Sequence, residues 1–300
     1  MTNKIVDDEQ GKRMLIVDPP SSDDARRLRG AGVRTAWVHG FGMASLPDLS
    51  ILDGAIDHLS VLTLNIESDA AVMTLPGLHS LSLQTYARDR IDFGAFESLN
   101  DLTFHWRPGA ESALGLHGLK SLSIFKFPFG DLSALGGLTE LRRLGIWSAR
   151  IERLDGIGAF RGLQSLFLVD DRRLVDLTAL AGDAPRLRGL DFNGCRSFRD
   201  ISPLAAQVDL EELSLTDCGR IESLAPLATL KKLKRLWFYG STVIEDGDMS
   251  VLLDLPLLHG CSFTNRRHYG HRSQDIEAEL ERRHGPYVTD RGHAWLRANA

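Results

Sequence analysis

His268-Tyr-Gly-His271, with Arg266, Arg267 and Arg272 around it, is the densest polar cluster of the 300-residue chain. With His284 and His293 it could offer imidazoles to a metal. It has no nearby cysteine and no carboxylate at a matching spacing, so a loop that caps the end of the fold is the preferred reading. Asp170-Asp171 and Glu211-Glu212 look like the paired carboxylates of acid–base sites. Adjacent residues in a strand or its exit point apart, so these acids need not converge and read as solvated. Cys195, Cys218 and Cys261 lack the spacing of a zinc site or a disulfide framework. The chain has no phosphate loop, dinucleotide glycine fingerprint or HExxH, and no GxSxG elbow. The expectation is a protein without catalytic residues, metal or cofactor. The alternative is an enzyme or substrate-recruiting subunit with its site in the His268/His271 segment.

Composition excludes other classes. A formal charge of −5 and a pI near 6.1 do not provide the basic face that nucleic acid requires. The longest apolar run near the N-terminus, Met14 to Val17, is too short for a signal peptide. No run approaches the ~18 apolar residues of a membrane span. These features predict a cytoplasmic protein with reduced thiols, monomeric when free, that binds neither membrane nor nucleic acid.

The elements come from a repeat. Leu-x-x-Leu-x-Leu recurs as Leu59/Leu62/Leu64, Leu78/Leu81/Leu83, Leu99/Leu102/Phe104, Leu119/Leu122/Ile124 and Leu141/Leu144/Ile146. It continues as Leu163/Leu166/Leu168, Leu187/Leu190/Phe192, Leu210/Leu213/Leu215, Leu233/Leu236/Phe238 and Leu258/Cys261/Phe263, with a weaker copy at Val33/Ala36/Val38. Middle residues are separated by 26, 19, 21, 20, 22, 22, 24, 23, 23 and 25 positions. Alternation within each frame predicts a strand. A step near 22 residues allows one strand, a turn and a short return. No unit can bury its own leucines, so stacked units must bury one another's.

These frames resemble the leucine-rich repeat family from about Val33 to Arg266. The turns Ile201-Ser-Pro203-Leu204 and Leu224-Ala-Pro226-Leu227 are similar to the short-return bacterial variety seen in internalins. The family's Asn or Cys three residues after the last strand leucine matches Cys195 and Cys218. Glu67, Tyr86, Arg107 and Ala149 depart from it, which predicts an irregular interior ladder in the first half. The resemblance implies an α/β solenoid, right-handed, with a parallel concave β-sheet of about eleven coils. The expected domains are an N-terminal cap over residues 1–32, a solenoid over 33–266, and a C-terminal cap and tail over 267–300. A helix is expected after Pro20, and another N-capped by Ser273 and ended by Gly285.

Residues flanking the middle leucine and following the last one should face outward on the concave side. In the second coil they would be Val61, Thr63 and Asn65. Most of the set is small and polar, as on a solvated face, but the aromatics cluster. Phe125, Trp147 and Phe167 come from successive coils, and Trp237 and Tyr239 form a second group. Anchors of protein interfaces are rich in Trp, Tyr and Arg, so these residues are expected to bind another protein, with Arg143 and Asp171 orienting it at the rim. Residues 31–264 hold 22 basic and 29 acidic residues, which favours a basic partner. The expected role is a non-enzymatic scaffold, possible forms being an intracellular inhibitor or immunity-type protein.

Overall fold

A computed structural model describes residues 2–8, 11–39 and 43–286. Among them, 13 strands form one sheet in chain order. Lys4–Asp8 and Gly11–Ile16 make an antiparallel hairpin at its edge, and every later neighbouring pair is parallel. The edge hairpin extends the predicted Met14–Val17 strand, continuing the interior wall as Met14 pairs with Ala36 and Ile16 with Val38.

Each frame turns its leucines into one continuous core, where Leu81, Leu102, Leu144, Leu166, Leu190, Leu213 and Leu236 are wholly buried. Burying such a side chain contributes roughly 1.5–3 kcal/mol, so the stacked wall dominates stability. The return segments are short 3-10 turns, such as Ser133–Leu135, Ser202–Ala206 and Ala225–Thr229. Several begin with an aspartate that accepts a backbone N–H two residues on: Asp131 from Ser133 at 2.8 Å, Asp176 from Thr178 at 2.8 Å and Asp200 from Ser202 at 2.7 Å. A steep, solvated turn leaves such N–H groups without a ladder partner, and the carboxylate supplies one.

The second frame differs from expectation. Leu59, the middle residue, pairs with Ala36 and Leu81, and Val61 pairs with Leu83. The frame is therefore Ile56/Leu59/Val61, while Leu62 and Leu64 are 45% and 44% exposed. Steps of 26 and 19 become 23 and 22. The outward positions become His58, Ser60 and Leu62 in place of Val61, Thr63 and Asn65.

Helices occur at both ends. The α1 helix, Ser22–Ala31, is N-capped by Ser21 in a reciprocal box with Asp24, and Gly32 ends it in a left-handed turn. The α2 helix, Ser273–His284, has Arg272 rather than Ser273 at its N-cap. Buried Ser273 instead ties the helix to the last strand. Its Oγ accepts the Phe263 N–H at 3.2 Å, and its own N–H donates to Asn265 Oδ1 at 2.8 Å.

The interior ladder changes character along the stack. In the later coils a donor reaches back to the carbonyl of the preceding strand's last wall residue. Cys195 Sγ donates to Leu168 O at 3.3 Å, Cys218 Sγ to Phe192 O at 3.1 Å, and Thr242 Oγ1 to Leu215 O. Burial pushes the Cys195 thiol up to about 12, which keeps it protonated and suited to donating. In the first half a buried ionic triad takes this place. Arg107 donates to Asp69 Oδ2 at 2.6 Å and to Thr85 Oγ1 at 2.9 Å, and Thr85 donates to Asp69.

Candidate protein-binding face

After its last wall residue each strand carries one more residue on the concave side, and then the chain turns sharply. From Phe125 onward that turn is made by Lys126, Ser148, Asp170, Gly194, Asp217 and Gly240, all at positive φ. Left-handed backbone is unfavourable for residues other than glycine. It persists at the four non-glycine positions because each N–H still bonds the next coil, as in Lys126 to Trp147 O at 2.8 Å and Ser148 to Val169 O at 2.8 Å. The turn fixes the row of exit residues that precedes it.

Those exit residues form an aromatic stack. His105 and Phe125 lie 4.6 Å apart at 15°, and Phe125 and Trp147 lie 5.0 Å apart at 23°. Tyr86 meets the far side of His105 edge-on at 4.9 Å, and the Lys126 ammonium lies 4.8 Å from the Tyr86 ring centre. Burial, with Lys126 and Arg107 close by, pushes the His105 imidazole down to about 4. It is neutral at physiological pH and stacks as an aromatic ring. Phe125 and Trp147 remain partly exposed.

The structure stacks Phe125 on Trp147, while Phe167 and Asp171, which the sequence also pointed to, are buried. Phe167 stands on the concave side but is only 5% exposed. It pairs with Gly145, over which the Trp147 indole is folded, so Phe167 belongs to the floor of the site. Asp171 is wholly buried inside the turn and is not a rim residue. Its Oδ2 accepts the Ile151 N–H at 3.0 Å and its Oδ1 the Arg173 N–H at 3.4 Å. The left-handed Asp170 sends the chain inward at that point. Burial pushes the Asp171 carboxyl up to about 6.

His105, an outward position of its strand, and Tyr86 beside it extend the stack beyond the aromatics expected to bind. The signal for His105 was positional, because it occupies the same exit position as Phe125 and Trp147. Tyr86 lies two residues past the strand end at Gln84 and had none.

Arg143 faces Asp101 at 3.6 Å, and Arg235 pairs with Glu212. The Arg235 guanidinium lies 5.9 Å from the Trp237 ring centre, and Tyr239 is 39% exposed. Trp237 and Tyr239 open onto a hollow of about 320 Å³ whose far wall is Glu277 and Glu281 of α2. Several concave residues expected to be solvated are in fact enclosed, among them Ser121, Ser123, Ser214 and Asp191. Inward curvature crowds the side chains on this face.

The His268/His271 segment fastens the C-terminal cap. His268 Nε2 lies 2.8 Å from Ile244 O, Tyr269 Oη accepts the Ile244 N–H at 2.9 Å, and Arg266 donates to Gly240 O at 2.6 Å. His293 lies outside the described residues. The acid pairs diverge: Asp170 is exposed while Asp171 is buried, and Glu211 pairs with Arg188 and Lys234 while Glu212 pairs with Arg235. No helix among the described residues is long and apolar enough to cross a membrane.

The sequence matches no family model and no curated protein. Among solved structures, an internalin (inlF) of Listeria monocytogenes superposes with a TM-score of 0.56 at 14% identity, over 94% of this chain and 87% of that one. A leucine-rich repeat protein of Leptospira interrogans gives 0.47 at 16% identity, over 80% and 68%. Internalin C2 of Listeria monocytogenes gives 0.41 at 18% identity, over 73% and 84%. The first likeness supports the fold alone, and the two lower scores carry no argument.

Proposed function

From the premise that this chain has an internalin-like leucine-rich repeat fold, we propose that it is a non-enzymatic scaffold gripping another protein on its concave face. The observation that carries this reading is the partly exposed stack of His105, Phe125 and Trp147, beside Arg143, with Trp237 and Tyr239 as a second aromatic group four strands further along the face. Soluble proteins seldom leave rings stacked on an open surface without a partner to cover them, and such rings are common interface anchors. The acid excess of residues 31–264 supports a partner with a basic face. Within this class the chain would act as an inhibitor that masks the surface it grips. The protonated, hydrogen-bonded interior thiols fit a reducing, cytoplasmic setting.

The test is a pull-down read by mass spectrometry, with wild type beside the Phe125→Ala/Trp147→Ala variant. The expected result is a protein retained by wild type and lost by the variant. Equal retention by both would move the site off this face.

A further inference from the structure

Two arginines and three acids stand on the concave side of the strands from Asp101 onward. Arg143 faces Asp101, and Arg235 pairs with Glu212. Asp191 has no counter-ion among the described residues. It lies between Leu190 and Phe192, both turned inward and wholly buried, so its carboxyl points to the concave side. Phe167 and Ser214 flank it on the neighbouring strands. The residue is only 5% exposed, and its Oδ1 accepts no hydrogen bond.

Asp171, just as deeply enclosed, shows what a structural aspartate does in this fold: both its oxygens accept backbone N–H groups. Asp191 Oδ1 caps nothing. An enclosed carboxylate oxygen without a donor costs stability, and such groups concentrate where a ligand will supply the donor. The position is central. Two strands toward the N-terminus stands Trp147, and two strands toward the C-terminus stands Trp237, each about 10 Å away by strand spacing. One carboxylate with a hydroxyl neighbour is a poor set of metal ligands but a good acceptor for an ammonium or guanidinium.

We propose that Asp191 is a socket for one lysine or arginine side chain of the protein partner, bound between the Trp147 and Trp237 regions of the concave face. This rests on the concave-face reading and gives it a ligand chemistry. Burial, opposed only by the Ser214 hydroxyl, raises the Asp191 carboxyl to about 6, so the socket is charged at neutral pH and ready for a cation.

The test is selection of a displayed random short-peptide library on wild type, Asp191→Asn, Asp191→Lys and Trp147→Ala, with thermal melts confirming that each variant folds. Wild type should select peptides with Lys or Arg at one shared position. Those peptides should bind Asp191→Asn about tenfold or more weakly, because a desolvated cation is left unpaired. Asp191→Lys should select Asp or Glu at that position. Peptides without a shared base, or equal binding to Asp191→Asn, would overturn the socket. If Trp147→Ala abolishes binding while Asp191→Asn does not, the concave face stands and the socket fails. If wild type selects nothing, or neither substitution matters, both fail.

Discussion

The Trp147 indole lies folded back over Gly145 on its own strand, so closely that a Cβ at 145 would overlap the six-membered ring. Residues two apart share one face of a strand, and here the missing side chain makes room for the largest one. The ring in turn stands beside Phe167, the strand partner of Gly145.

Gly145→Ala should therefore lift the indole from the sheet. The expected cost is about 1–3 kcal/mol, the usual range for overpacking a tight site. Near-ultraviolet circular dichroism and tryptophan fluorescence should change with it. An unaltered spectrum and stability would show that the ring is not seated there.

Trp147→Ala should weaken partner binding by about 2 kcal/mol or more, the scale of an interface anchor. Calorimetric titration of the protein recovered by pull-down measures it. Replacing His268 should leave affinity unchanged and lower the melting temperature, since its Nε2 contacts the Ile244 carbonyl.

The corrected second frame separates two aliphatic residues that sequence treats alike. Ile56→Ala should cost about 2–5 kcal/mol, because Ile56 is buried and leaves a cavity. Leu62→Ala should stay within about 0.5 kcal/mol, because Leu62 is largely exposed. Urea denaturation of both variants decides it, and the reverse ranking would restore the Leu59/Leu62/Leu64 frame.

Arg107 and Asp69 form a buried ion pair, so removing one partner strands the other. Arg107→Met should cost about 3–5 kcal/mol, and adding Asp69→Leu should recover much of that loss. Additive losses in this double-mutant cycle would mean that the two side chains do not act as a unit.

Asp191 sets a pH dependence of its own. Its carboxyl moves from 3.8 to about 6 on folding, so the folded state holds the proton more tightly. That stabilisation is complete below about pH 4 and is lost as pH rises through about 6. His105 runs the other way: neutral in the fold, it contributes above 6.5 and loses that contribution as pH falls through about 4. Comparing wild type with Asp191→Asn cancels the histidine. The two should match near pH 4, and the variant should be more stable by about 2–3 kcal/mol near pH 7. A constant difference across this range would show that Asp191 does not titrate as described.

The periodic leucines alone determined the architecture. Alternation of period two set each strand, a step near 22 residues set the return, and units unable to bury their own wall had to stack. Where two frames overlapped in Ile56–Leu64, leucine identity pointed to the wrong one. Only pairing with Ala36 and Leu81 chose between them, because register depends on neighbouring strands. The site was legible in part. Phe125 and Trp147 could be placed outward from strand alternation, and the structure adds that they stack. Alternation stops at the strand's end, so it could not show that a left-handed Asp170 would turn Asp171 inward. Nor could it show that Trp147 would fold over Gly145 beside a buried Phe167. That Asp191 has no counter-ion among the described residues was equally out of reach, because an ion pair between coils depends on which side chains curvature brings together.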